Sequence, residues 1–166
     1  MASELVGGEL VNGRATHSLQ LTFGDAADAE LIENALLETL RSELPQATNA
    51  SFVLTLKDSV GTIVGGLTAS TSYGWLLIKV LWVEEAHRGR GYGRQLIEAA
   101  ERKARDYDCH SVWLDTSHPD AVRFYATLGF EVFGELSNAE GKYPEGHSRW
   151  FLKKSLSNDD PSVTRG

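Results

Sequence analysis

The stretch His87–Leu96, HRGRGYGRQL, constrains this chain more than any other. It concentrates three glycines and three arginines in ten residues. Before it runs WLLIKVLWV (75–83), apolar and β-leaning, and after it comes LIEAAERKA (96–104), a good helix former. The glycines therefore sit at a strand-to-helix turn. At such a turn the first N–H groups of the helix have no intrahelical partner, so a phosphate can be held there.

The rest of the chain limits what that phosphate can belong to. Its 166 residues suit one domain, and 42% hydrophobic with 23% charged residues is ordinary globular composition. The formal net charge of −7 argues against broad nucleic-acid binding and suits a cationic small partner. Against that background the arginines of the glycine turn are a local exception. The single cysteine, Cys109, excludes an internal disulfide. MASELVGGEL lacks the basic and apolar regions of a signal peptide, and no apolar run approaches the roughly 20 residues of a membrane helix. The expectation is a soluble cytoplasmic protein without a membrane partner. No His/Cys grouping has metal-ligand spacing, so no metal is expected.

Periodicity predicts a strand over Ser18–Gly24 and a helix over Asp25–Leu44, with Leu31, Ile32, Ala35, Leu36 and Leu40 at helical spacing and Pro45 as its stop. SFVLTLKD and GTIVGGLTAST read as a hairpin, with Phe52, Leu54 and Leu56 on one face. A strand follows over Trp75–Val83, then the glycine turn and a helix to about Tyr107. HSVWLDT is a strand, PDAVRFYATLG a helix with proline at its start, FEVFGEL a strand, SNAEGKYPEG a loop and HSRWFLKKSL a last strand. The domain spans 1–156, and 157–166 reads as a tail. The order β-α-β-β-β, turn, α-β-α-β-β is mixed α/β (α+β), with strands outnumbering helices, and not the regular alternation of a doubly wound fold.

Three phosphate-cradling patterns compete for the turn. Gly89, Gly91 and Gly93 are spaced G-x-G-x-G, which fails the dinucleotide fingerprint, and no Walker A string is present. R-x-x-G-x-G between a strand and a helix fits, through Arg88, Gly91 and Gly93, with Arg94 directly after. LWVEEAHRGRGYGRQLIEAA resembles the acetyl-CoA-binding segment of the GNAT superfamily of N-acetyltransferases. VWLDTSHPDAVRFYATLGFEVFGEL resembles that superfamily's strand, helix with FY, LGF and next strand. YPEGHSRWFLKK resembles the C-terminal hairpin of one bacterial subgroup. Together these cover about Leu76–Lys154, with the N-terminal half matched by element order alone.

The resemblance implies a mostly antiparallel central sheet, splayed at the cofactor site and flanked by helices. Backbone N–H groups from Gly89, Arg90, Gly91, Tyr92, Gly93 and Arg94 would meet the pyrophosphate of acetyl-CoA, with Arg88, Arg90 and Arg94 adding charge-assisted bonds. It further implies that the strand before the turn carries a bulge, that Leu81, Trp82 and Val83 pair with the pantetheine arm, and that an N–H near Val83 holds the acetyl oxygen. Ala121, Phe124, Tyr125 and Leu128 share one helix face. Tyr125 brings a hydroxyl to that face, either as a core tyrosine bonded to a carbonyl or, as in the family, as the acid that protonates the leaving thiolate. His118 occupies the place of a coenzyme-binding asparagine, and can equally cap the SHPD turn.

For the general base, Glu84, Glu85, Asp115 and His147 are candidates, alongside ordered water. Glu84 follows the bulged strand, Asp115 ends the next one, and His147 sits in a loop that would roof the acceptor pocket. The first helix and the loop after it would complete that pocket. The acceptor is expected to be a small primary amine, with a protein N-terminus or lysine as the alternative. Homodimerisation through the C-terminal strands is implied by the family alone. Two other readings are a non-catalytic acyl-CoA sensor and a nucleotide-binding module for ATP or NAD. Tyr125 weakens the first; the absent Walker lysine and the glycine spacing weaken the second.

Overall fold

The computed structural model describes residues 19–43 and 49–156. It divides into two compact units, 1–43 and 44–166. In the first, helix α1 runs Ala26–Glu43. Its start is a reciprocal cap. Asp25 Oδ1 accepts from the N–H groups of Ala27 and Asp28, and Asp28 Oδ2 accepts from Asp25 N. The strand expected over Ser18–Gly24 is a correction: from Leu19 to Gly24 the chain has no regular structure, Ser18 lying outside the described residues. Alternation specifies two faces, but a strand also needs a neighbour for its N–H and C=O groups, and the sheet does not include this segment. Pro45 and the tail 157–166 also lie outside the described residues.

In the second unit the described strands form one sheet: β1 Ser51–Lys57, β2 Ile63–Ser72, β3 Trp75–Val83, β4 Ser111–Thr116, β5 Glu131–Ser137 and β6 Ser148–Ser155. Their order is β1-β2-β3-β4-β6-β5, antiparallel except for β3 beside β4. Helices α2 (Tyr92–Arg105) and α3 (Pro119–Ala126) cover one face. Ile97, Ala100 and Ala104 recur at helical spacing along α2 and are buried against Leu67, Leu76, Val112, Leu114 and Leu152. Burying a side chain such as Leu76 fully contributes about 1.5–3 kcal/mol.

Beneath α2, Lys154 of β6 donates to Glu101 Oε1 at 2.7 Å, the two side chains being 25% and 8% exposed. Removing the cation strands a carboxylate in the core. Lys154→Met is therefore expected to cost about 3 kcal/mol of stability in urea denaturation. An unchanged midpoint would mean that water already serves Glu101.

The sheet opens where β3 meets β4. The two strands pair only through Trp75, Leu76 and Leu77 with Ser111, Val112 and Trp113. Beyond these, β3 continues to Val83 and β4 to Thr116 without a ladder between them. Against β2, Thr68 faces Val80 while Ala69 faces Ile78, so Lys79 is the extra residue of a bulge. The bulge and the splay expected from the resemblance are thus both present.

Candidate active site

The hydrogen-bond phase along β3 decides which backbone groups face the gap. Glu84 N donates to Val64 O at 2.8 Å. Antiparallel pairs alternate, so Trp82 and Val80 also turn their backbone groups toward β2. Leu81 and Val83 turn theirs the other way, into the space that β4 has left. Arg88 Nε donates to Val83 O at 2.8 Å, which fixes the end of the strand and leaves Val83 N–H free of that clamp.

A cleft of about 570 Å³ runs along this gap. Leu81, Trp82 and Val83 form one wall. Arg88, Gly89, Gly91, Tyr92, Gly93 and Arg94 close its end, and His118 and Tyr125 stand on the α3 side. β3 and the glycine turn follow one another in the chain, and α3 joins them from beyond α2 and β4. Arg90 is not among the lining residues, and neither are Glu84, Asp115 and His147. Asp115 is instead engaged by Arg149, whose Nε and one terminal nitrogen both lie 2.6 Å from Asp115 Oδ2. His147 belongs to a loop pinned by Asn138, whose side chain donates to Pro144 O at 2.6 Å and whose N–H donates to His147 O at 2.9 Å.

The glycine turn fits an anionic ligand on structural grounds. Gly91 is the residue before α2, at φ 83°, and no side chain caps the helix. Its first-turn N–H groups are thus left for a ligand. A Cβ on Gly89 or Gly91 would meet no protein atom within 4 Å, so both glycines border open space. Gly93 is small for another reason. A Cβ there would come 3.2 Å from Phe124 Cζ, so its absence lets α2 and α3 approach.

His118 caps α3, with Nδ1 accepting from Asp120 N at 3.2 Å, and also lines the cleft. Four lining residues, His87, Asp120, Ala121 and Phe124, lay outside the sequence-based site, the last two having been read only as the apolar face of α3. Asp120, paired with Arg123, precedes Phe124 by four residues, and that spacing was the available signal. His87 directly precedes Arg88. Its buried Nδ1 lies 3.1 Å from Glu84 Oε2 without the alignment of a hydrogen bond. Nothing in the local sequence marks it.

Tyr125 is 7% exposed and packs edge-on to Phe130, with ring centroids 5.5 Å apart. Burial, and secondarily the Asp115 charge, push its phenol from 10.0 up to about 12. The hydroxyl therefore keeps its proton throughout the neutral range. The sign for stability follows from the raised folded value. Below about pH 10 Tyr125 adds no pH dependence, because it is protonated in both states. As pH rises from about 10 to about 12, the unfolded chain loses this proton first, and stability falls by about 1.4 kcal/mol per pH unit. Urea midpoints at about pH 9 and 11 should show a smaller fall in Tyr125→Phe than in the wild type.

Cys109 is buried before β4, its thiol pushed up by burial and by Asp108, which disfavours the thiolate a covalent intermediate would need. Among the described residues no group of three His, Cys, Asp or Glu side chains is placed to hold a metal ion, and no helix is long and apolar enough to cross a membrane.

Residues 19–130 match the Acetyltransferase (GNAT) family. The chain belongs to that family. It is thereby an acyltransferase of the acetyl-CoA-dependent class. An acetyltransferase of Agrobacterium fabrum is 32% identical over 139 residues, 82% of this chain and 98% of that one. The blasticidin-S acetyltransferase of Streptomyces morookaense is 32% identical over 97 residues, 58% of this chain and 68% of that one. The crystal structure of a Bacillus cereus acetyltransferase superposes with a TM-score of 0.72 at 29% identity, covering 82% of this chain and 97% of that one. For this GNAT acetyltransferase, the mixed, mostly antiparallel sheet opened beside α2 is the architecture the sequence led us to expect.

Proposed function

We propose that this acetyltransferase moves the acetyl group of acetyl-CoA to a primary amine of a small molecule, by direct attack in a ternary complex. The observation that carries the reading is the opened β3–β4 edge, with the backbone of Leu81 and Val83 turned into it and Tyr125 on the cleft wall. Bound acetyl-CoA supplies a thioester carbonyl that an amine can attack. The N–H groups of the glycine turn and the first turn of α2 hold its pyrophosphate, with charge from Arg88 and Arg94. Leu81 and Val83 orient the pantetheine arm as an added strand, and Val83 N–H donates to the acetyl oxygen. As the C–N bond forms and the C–S bond breaks, the amine sheds a proton to water and Tyr125 Oη gives its own to the departing sulfur and recovers one from solvent, for which a phenol that stays protonated at neutral pH is suited.

The blasticidin-S relative supports a small-molecule acceptor. The −7 charge supports a cationic one. The cytoplasm is the compartment the reading assumes. Pairing of two copies would use the C-terminal strands, of which β5 is a sheet edge.

Initial-rate kinetics test the direct transfer. Varying amine and acetyl-CoA together should give intersecting double-reciprocal lines, and protein alone with acetyl-CoA should acquire no acetyl group. Parallel lines with acetylated protein would replace the ternary complex by a covalent route.

A further inference from the structure

The mechanism above leaves the Asp115–Arg149 pair unused, yet its place in the sheet is specific. Val112 and Leu114 are buried under α2 and α3, so Trp113 and Asp115 alternate to the opposite face. On β6, Phe151 is the direct partner of Asp115, and Arg149 lies two residues before it on the same face. Asp115 stands beyond Trp113, the last β4 residue that pairs with β3, and therefore on the rim of the gap. Trp82 rims the other side. Its neighbours Leu81 and Val83 pack toward the core, and Trp82 itself is 46% exposed.

Both Arg149 contacts fall on Asp115 Oδ2. No hydrogen bond reaches Oδ1 among the described residues, so that oxygen can accept from a ligand. The pair is 51% and 27% exposed, and ion pairs this wet contribute little to stability. Its effect is better sought in orientation: a guanidinium that donates from Nε and sets a terminal nitrogen equally close to the same oxygen fixes the carboxylate's direction.

We infer that Asp115, oriented by Arg149, receives a second cationic group of the acceptor through Oδ1, so that the acceptors are amines carrying another positive charge. This deepens the proposed function and rests on it. Arg149 acts here as a positioning residue, and the half-exposed Trp82 face across the gap suits a cation as well.

The test uses the full chain, saturating acetyl-CoA, and thiol release with a matched pair of amines, 1,4-diaminobutane and 1-butylamine. The wild type is expected to favour the diamine at least about ten-fold in kcat/KM. Asp115→Asn should shrink that preference to about two-fold or less, by raising the diamine's KM while the KM for acetyl-CoA stays. Arg149→Gln should lose most of the same preference, Arg149→Lys should restore only part, and the double variant should be no worse than Asp115→Asn alone. Should Asp115→Asn not fold, Arg149→Gln carries the comparison. The inference is overturned by no preference in the wild type, by a preference that survives Asp115→Asn, by equal losses for both amines, or by no transfer to either amine while acetyl-CoA still binds. Failure of the wild type to bind acetyl-CoA would instead remove the underlying catalytic reading.

Discussion

Gly91→Glu is expected to weaken acetyl-CoA binding by at least about 100-fold in calorimetry, while the protein still folds. Two effects act together. The carboxylate places negative charge at the uncapped start of α2, where the pyrophosphate would sit, so like charges compete for the same N–H groups. The side chain also occupies space that a ligand needs, since a Cβ at Gly91 meets nothing of the protein within 4 Å. That openness is why the substitution should not act by overpacking. It does force a non-glycine residue to φ 83°, at a cost of about 1–2 kcal/mol. Gly91→Ala carries the same backbone strain without the charge, and should bind acetyl-CoA far better than Gly91→Glu. If both variants bind as the wild type does, the glycine turn is only a turn, and the pyrophosphate site lies elsewhere.

Tyr125→Phe is expected to lower kcat by about 10²–10³-fold with acetyl-CoA affinity nearly unchanged, because it removes one proton donor and little else. The ring that packs against Phe124 and Phe130 remains, so the core keeps its shape. Stopped-flow thiol release with a good acceptor, beside calorimetry for the cofactor, separates the two quantities. The wild-type rate should also show no alkaline loss from Tyr125 below about pH 10, since its phenol titrates near 12. An undiminished kcat in Tyr125→Phe would mean that the departing sulfur takes its proton from water.

Much of the site could be read from residue order because its chemistry is local. Glycines between a strand and a helix mark a turn with exposed N–H groups wherever the tertiary fold puts them, and Gly89, Gly91 and Gly93 line the end of the cleft. Proline at the start of α3 and the spacing of Phe124 and Tyr125 likewise depend on one helix alone. The general base was less legible. Glu84, Glu85, Asp115 and His147 can each accept a proton, and what separates them is position and partners. Asp115 has Arg149, which is 34 residues away in the chain and adjacent only through β4–β6 pairing. Leu19–Gly24 misled for the same reason in reverse: its alternation is genuine, but no partner strand gives it a ladder.

Residue order alone thus accounts for the class of fold, the glycine turn and the residue types on which the proposed pyrophosphate and proton-donor roles rest, because these depend on backbone freedom, periodicity and side-chain chemistry within a few residues. Register was decided in three dimensions. The bulge at Lys79 and the end of pairing after Leu77 turn Leu81 and Val83 into the gap, and Arg149 reaches Asp115 across strands. Pairing register is a relation between distant segments, and a shift of one residue would send each of these groups to the opposite side.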